Sequence, residues 1–221
     1  MIVQFLINGS IIDTITTSSS TWSTTTVLLG EGQGTVPSQP AATWWFDEVS
    51  FIHSGSEQLG NRGFESALAG SYLTPNVYSN WCNVHPSRGS DRYNDQSYTG
   101  DWSGGIKKPV GLGCWLHQDT PATELGHSSF KARVRRSSTT PFGAVRAQLI
   151  FNRDSAMDTL VGSVLMRQTN SNTITTTAMS TTHTGFAPIV DDTWNLWEIR
   201  IYPDDIIPTT PGGWSVGMIQ W

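Results

Sequence analysis

The sequence predicts an all-β sandwich, and three observations carry that expectation. Apolar and polar residues alternate over short runs, as in Phe130-Lys131-Ala132-Arg133-Val134-Arg135, which is the period of a strand with one buried face. Helical periodicity is weak everywhere along the 221 residues. Charged residues make up only 14% of the chain while Ser, Thr and Gly are abundant, which suits polar loops between many short strands.

Residues 3–7 (VQFLI), 11–15, 24–29 and 44–51 read as strands, separated by Gly9, the Ser-rich stretch 18–20 and the loop 30–40. Aromatic and branched residues in 44–51 (WWFDEVSF) favour a half-buried pleated surface. Beyond Ser66, strands are expected near 77–84, 111–117, 129–135, 145–152, 161–168, 173–180, 196–202 and 214–221. Residues 85–108 read as one long polar loop.

The chain also echoes itself. Gln4-Phe5-Leu6-Ile7-Asn8 matches Gln148-Leu149-Ile150-Phe151-Asn152, Thr21-Trp22 with its following apolar run matches Thr193-Trp194, and 44–51 matches 214–221. On this reading residues 1–55 form an N-terminal β segment equivalent to the second half of a sandwich, and residues 56–221 hold a nearly whole one. The segment 44–51 looks like a closing strand and Gly60-Asn61-Arg62-Gly63-Phe64-Glu65 like an opening one, so an end precedes a beginning. Three or four strands with one apolar face are marginal alone, and their edges invite pairing. The segment therefore needs a cover, either its own 56–221 domain or a neighbouring copy of the chain, and the charge distribution favours the neighbouring copy.

Charge and motifs exclude several classes. The net charge of −5 argues against a nucleic-acid binder. All of it belongs to the first quarter, where Asp13, Glu31, Asp47, Glu48 and Glu57 precede the first base, Arg62. No apolar run approaches the ~20 residues of a membrane helix, and MIVQFLINGS lacks the basic and apolar regions of a signal peptide. There is no G-x-S-x-G, H-E-x-x-H, P-loop or dinucleotide fingerprint, so no catalytic residue is expected.

Short motifs carry a family resemblance. LGNRGFES, then FKARVRRSS leading into VRAQLIFN, then DDTWNLWEIRI resemble jelly-roll carbohydrate-binding modules of the family 4, 9 and 22 type, as found in phage structural proteins. In that family an N-x-GFE strand opens the domain and a strand with an acidic pair, like WWFDEVSF, closes it. The resemblance implies a jelly-roll sandwich. It also implies that a structural calcium, where such modules carry one, would be held by Glu65 and Asp47. Here the closing strand comes first and GWSVGMIQW at 213–221 lacks the acidic pair; no metal and no cofactor is expected.

Three groups of residues stand out. Tyr93, Tyr98 and Trp102 lie in the long polar loop beside Arg92 and several Asp, as a sugar-ring platform requires; the alternative is that they fold back to pin the loop. Cys82-x-x-His85 and Cys114-x-x-His117 have matching spacings, and as antiparallel neighbours Cys82 would face His117. Residues three apart on a strand point to opposite faces, so buried thiols beside polar histidines are expected rather than zinc or a disulfide. Finally, Lys131, Arg133 and Arg135 form a basic stripe, with Arg146 nearby. Together with Asp47 and Glu48 and the apolar Phe5, Ile7, Trp22, Leu28 and Trp44, that stripe is the expected interface for the first segment.

The resulting expectation is a structural protein of a virion or particle surface, a capsid decoration (cement) or tail component of a bacteriophage. It would be made in the host cytoplasm and assembled with copies of itself and other virion proteins. The alternative is a glycan-binding module or adhesin that recognises a polysaccharide.

Overall fold

The computed structural model describes residues 1–18, 24–31, 42–69, 81–84, 90–108, 114–120, 126–139, 145–152 and 160–203. None of these is helical, so none forms a helix able to cross a membrane. Their strands are β1 (Ile2–Ile7), β2 (Ser10–Thr16), β3 (Thr24–Glu31), β4 (Ala42–His53), β5 (Ser56–Glu57), β6 (Cys82–Val84), β7 (Ser90–Tyr93), β8 (Ser103–Lys108), β9 (Cys114–Thr120), β10 (Ser128–Arg136), β11 (Val145–Asn152), β12 (Leu160–Asn170), β13 (Thr173–Ala178), β14 (Thr181–Phe186) and β15 (Asn195–Tyr202). Trp22, His85, the run 214–221 and the side chain of Cys114 lie outside the described residues.

The strands form a jelly-roll-like sandwich of two antiparallel sheets. Sheet A has the order β2-β1-β15-β10-β4-β8-β7, with β5 beside β4, and sheet B has the order β14-β13-β12-β11-β3-β9-β6. Every second residue of each strand turns inward. Phe5, Trp44, Phe46, Phe51, Phe130 and Trp197 from sheet A meet Val27, Leu29, Leu116, Leu149, Phe151 and Met166 from sheet B in one core. Trp44 enters this core while its neighbour Trp45 turns to the outer face of sheet A.

The first segment is not a separate half-sandwich. β1 pairs with β15, β4 lies between β10 and β8, and β3 lies between β11 and β9. Residues 1–55 thus contribute to both sheets, and no boundary falls at 55/56. β1, β3 and β4 are each flanked by strands of the same chain, β2 remains an outer edge, and the apolar face is covered by the facing sheet. Phe5, Ile7 and Trp44 belong to the shared core rather than to an interface with a neighbour. Leu28 instead packs with Trp115 and Ile150, outside that core.

The expected charge complement is also met within the chain. Glu48 reaches Arg133 at 3.7 Å, Glu57 reaches Arg62 at 3.3 Å and Asp13 meets His183 at 3.1 Å. Lys131 turns to Glu198 at 3.5 Å, and Arg135 donates to the carbonyl of Asp192. Arg146 stands in sheet B opposite Arg167, away from the stripe on β10.

The internal echo has a structural counterpart. Extending the two matches along their strands sets Ile2, Gln4 and Ile7 on Arg146, Gln148 and Phe151, and Tyr202, Arg200 and Trp197 on Gly30, Leu28 and Thr25. Ile2, Gln4 and Ile7 pair with Tyr202, Arg200 and Trp197; Arg146, Gln148 and Phe151 pair with Gly30, Leu28 and Thr25. The register is the same in both sheets. The pair β1–β15 in sheet A therefore corresponds to the pair β11–β3 in sheet B. The echo marks two halves of one sandwich.

Candidate functional site

The most highly organised region outside the core surrounds a bulge in β4. Lys131 of β10 stands opposite Ser50 but Arg133 stands opposite Asp47, so β4 carries one extra residue there. Such a bulge bends the strand and re-aims its side chains. Glu48 takes the left-handed conformation, with φ of 46°, which is uncommon for a residue with a Cβ.

The consequence is a buried carboxylate, with Asp47 0% exposed. Its Oδ1 accepts the Glu48 N–H at 2.7 Å, and its Oδ2 accepts those of Tyr98 and Thr99 at 2.7 and 3.0 Å. Burial pushes the carboxyl above the ordinary aspartate value, against the pull of these three donors. Glu65 holds the same loop one turn later: its Oε1 accepts the N–H groups of Asp101 and Trp102 at 3.1 and 3.2 Å. Between the two anchors, Gly100 has φ of 64°, and a Cβ there would lie 2.1 Å from Glu65 Oε1. Only glycine fits.

The stretch LGNRGFES that supplies Glu65 is a turn rather than an opening strand. It docks on the bulge through the Val49 N–H, which donates to the Arg62 carbonyl at 3.0 Å. Phe64 is buried and lies 5.1 Å from Trp81, ring centre to ring centre.

Despite their inverse order in the chain, Asp47 and Glu65 do meet around Gly63: a Cβ there would lie 3.5 Å from Asp47 Oδ1 and 3.9 Å from Glu65 Oε1. The donor set does not fit a calcium ion. Calcium takes six to eight oxygen ligands, whereas five backbone N–H groups point at these two carboxylates. Among the described residues no third acidic, His or Cys side chain joins them. The two acids staple a loop.

That loop, residues 94–102, carries Tyr98 and Trp102, and Tyr93 ends the strand before it. Tyr93 covers Gly105 on the outer face of sheet A, where a Cβ would come within 2.3 Å of its ring. Lys107 lies over the same ring at 3.9 Å and pairs with Asp95 at 2.8 Å. Asp95 in turn accepts the Trp45 Nε1–H at 3.1 Å, and Arg135 lies 6.0 Å over the Trp45 ring. Burial would raise the Asp95 carboxyl, but the hydrogen bonds from Lys107 and Trp45 hold it below its usual value. Beside this row, Arg133 stacks on Tyr98 at 4.3 Å, and Trp194 meets Tyr98 edge-on at 6.0 Å.

Trp102 does not join them. It lies under the Arg92 guanidinium at 4.1 Å, and Arg92 donates to the Glu65 carbonyl. Arg92 is opposite Gly104, whose face is filled by Phe64 and Leu116, so this pair belongs to the other side of the sheet from Tyr93. Of the three aromatics singled out from sequence, the structure brings Tyr93 and Tyr98 to one face and sets Trp102 apart. Asp95, Lys107 and Trp194 complete that face, above a Trp45 ring that is itself only 7% exposed. Trp45 had a signal in the sequence, because of two adjacent tryptophans on a strand one must face outward.

On sheet B, Cys82 stands opposite His117, as the spacing predicts. Burial, and then Asp119, push the thiol above its ordinary value, while burial lowers the imidazole against the pull of Asp119. A nucleophilic cysteine needs the reverse, a lowered thiol beside a cationic group. Cys82 is a buried free thiol.

Compared with protein-family models, curated proteins and solved structures, the chain matches none of them.

Proposed function

We propose that the chain binds a polysaccharide on the outer face of sheet A. The observation that carries this reading is the run Tyr93, Lys107, Asp95, Trp45, Arg135 beside Arg133, Tyr98 and Trp194 on one sheet face. Aromatic surface interleaved with fixed hydrogen-bonding groups suits a sugar, whose rings offer apolar faces and polar edges. The buried staple at Asp47 keeps Tyr98 in place before a ligand arrives, which lowers the ordering cost of binding.

Affinity electrophoresis against a panel of polysaccharides tests the reading. At least one is expected to retard the chain, and Tyr98→Ala and Tyr93→Ala each to weaken that retardation by roughly tenfold, or ~1.4 kcal/mol. Trp102→Ala is expected to leave it unchanged. A chain retarded by none of the panel, or equally retarded after both tyrosine substitutions, overturns the proposal.

A second reading, a structural protein of a virion or other particle surface, is favoured by β14, an exposed edge of sheet B that no other described strand covers. It predicts that the chain copurifies with particles from its source. Mass spectrometry of such particles without the chain would sink it.

A further inference from the structure

Among the described residues the sandwich has four outer edges, β2 and β7 in sheet A and β14 and β6 in sheet B. Natural sheets protect their edges with short strands, charges, prolines or bulges, because an open edge pairs with whatever strand it meets. Three of the four follow that rule. β6 has three residues, β7 has four including Asp91 and Arg92, and β2 carries Asp13 and a register shift against β1.

β14 has none of these devices. Its six residues, Thr181–Phe186, include no acid, Lys, Arg or Pro, and they pair with β13 in unbroken register. Residues 182–186 are all exposed, and Phe186 is 71% exposed. The strand is nonetheless held firmly. Thr184 and Thr182 share hydroxyl hydrogen bonds with Thr175 and Thr177 at 3.2 and 3.0 Å, and His183 is tied to Asp13 of β2 at 3.1 Å. An ordered, uncharged, exposed edge is a template for another strand.

We propose that β14 pairs antiparallel with β14 of a second copy of this chain, about a two-fold axis at Thr184, making sheet B continuous between the two. The strand is its own complement in that register. On the outer face Thr184 meets Thr184 and extends the hydroxyl row from Thr175, while Phe186 lies against Thr182 of the other copy. On the inner face His183 lies opposite Gly185 of the other copy. A Cβ on Gly185 would meet nothing within 4 Å, so the imidazole has room. The edge offers no charge for a charged foreign strand to recognise. Two chains of net charge −5 meet here along a strand that itself carries no acid, with Asp13 beside it paired to His183. The inference is independent of the glycan reading, and it names the contact that a particle-surface role would use.

Sedimentation velocity on the full chain over a concentration series, with Thr184→Lys and Thr184→Asp, tests it. The unsubstituted chain is expected to pass from monomer to dimer as concentration rises. Each variant alone stays monomeric, because like charges placed directly opposite repel. An equimolar mixture of the two recovers the dimer, which a merely misfolded variant would not do. A chain that stays monomeric up to its solubility limit leaves the edge to a strand of another protein and overturns the pairing. A Thr184→Lys chain that dimerises as well as the original, or a mixture that stays monomeric, overturns it too. Polysaccharide retardation of Thr184→Lys is expected to match that of the original chain, so the two proposals fail separately.

Discussion

At the β7–β8 margin, a loop is drawn onto two carboxylates and each of its aromatic rings lies against a cation. At the β13–β14 margin, hydroxyls pair with hydroxyls and Phe186 faces water. The first margin is costly to build: it needs a bulge, a non-glycine residue at positive φ and a buried charge. Such features persist only where their surroundings over-determine them. The second costs little and leaves a row of main-chain groups free to pair. Order at the first margin comes from anion–amide bonds rather than apolar burial, so it fails when one acid is removed. Order at the second comes from the strand ladder, so its side chains are free to vary.

The largest effect that separates the margins is expected from Asp47→Ala. It leaves the N–H groups of Glu48, Tyr98 and Thr99 without their acceptor, and removing a buried acceptor costs ~1–3 kcal/mol or more for a charged group. Urea unfolding is expected to register about 3 kcal/mol, against less than ~0.5 for Thr184→Ala. Equal losses at the two sites would erase the distinction.

The glycines give a smaller contrast of the same kind. Gly100→Ala combines positive φ with a collision against Glu65 and is expected to cost more than ~1 kcal/mol, whereas Gly185→Ala meets open space and costs close to nothing. Thermal melts of the two variants decide it.

Acid separates the margins by sign. Burial would raise Asp13, but hydrogen bonds from Thr176 and His183 outweigh it and hold its carboxyl below the ordinary value of 3.8. Its contribution to stability is therefore present above that value and fades as pH falls through the lower folded-state value. Asp47 is raised in the fold, so the folded chain takes up its proton first and Asp47's contribution rises as pH falls through that value. Carboxyl carbon chemical shifts followed during acidification are expected to show Asp47 titrating before Asp13. The opposite order would contradict the geometry at both margins.

A modest effect is expected of Arg133→Gln. It removes a stack on a 42%-exposed tyrosine and a long ion pair to Glu48, together worth roughly 0.5–1 kcal/mol at exposed sites. Polysaccharide retardation is expected to fall more than stability does.

Much of this frame is legible in the sequence, because strand faces follow a local period. Phe130, Ala132 and Val134 turn inward and Lys131, Arg133 and Arg135 outward, as their alternation requires. The echo between β1 and β11 is legible for the same reason. Strand neighbours are another matter. Nothing local in VQFLI says that it will pair with residues 197–202, so an integral half of the sandwich reads as a detachable one. β8 was hidden because Gly104 and Gly105 supply no pattern; their faces are filled by Phe64 and Tyr93 from elsewhere. β14 was hidden because Thr-Thr-His-Thr-Gly-Phe barely alternates. The role of Asp47 depends on a bulge, which one inserted residue creates without any residue type to announce it.

The pairing of β1 with β15 carries a kinetic consequence. Tyr202 donates to Gln4 across 198 residues of chain, and the whole of β1 is zipped against residues that are synthesised last among those described. Contacts so distant in sequence slow folding, because a long loop must close before they form. At a synthesis rate of about 5–20 residues per second, β1 waits roughly 10–40 s for its neighbour. Throughout that interval an uncharged, strand-prone VQFLI is exposed to other nascent chains, a composition that favours aggregation. Its only earlier strand neighbour is β2, available within seconds but covering one edge. Shielding of the first strand while the last is being made is thus a demand that the stability of the finished sandwich does not meet.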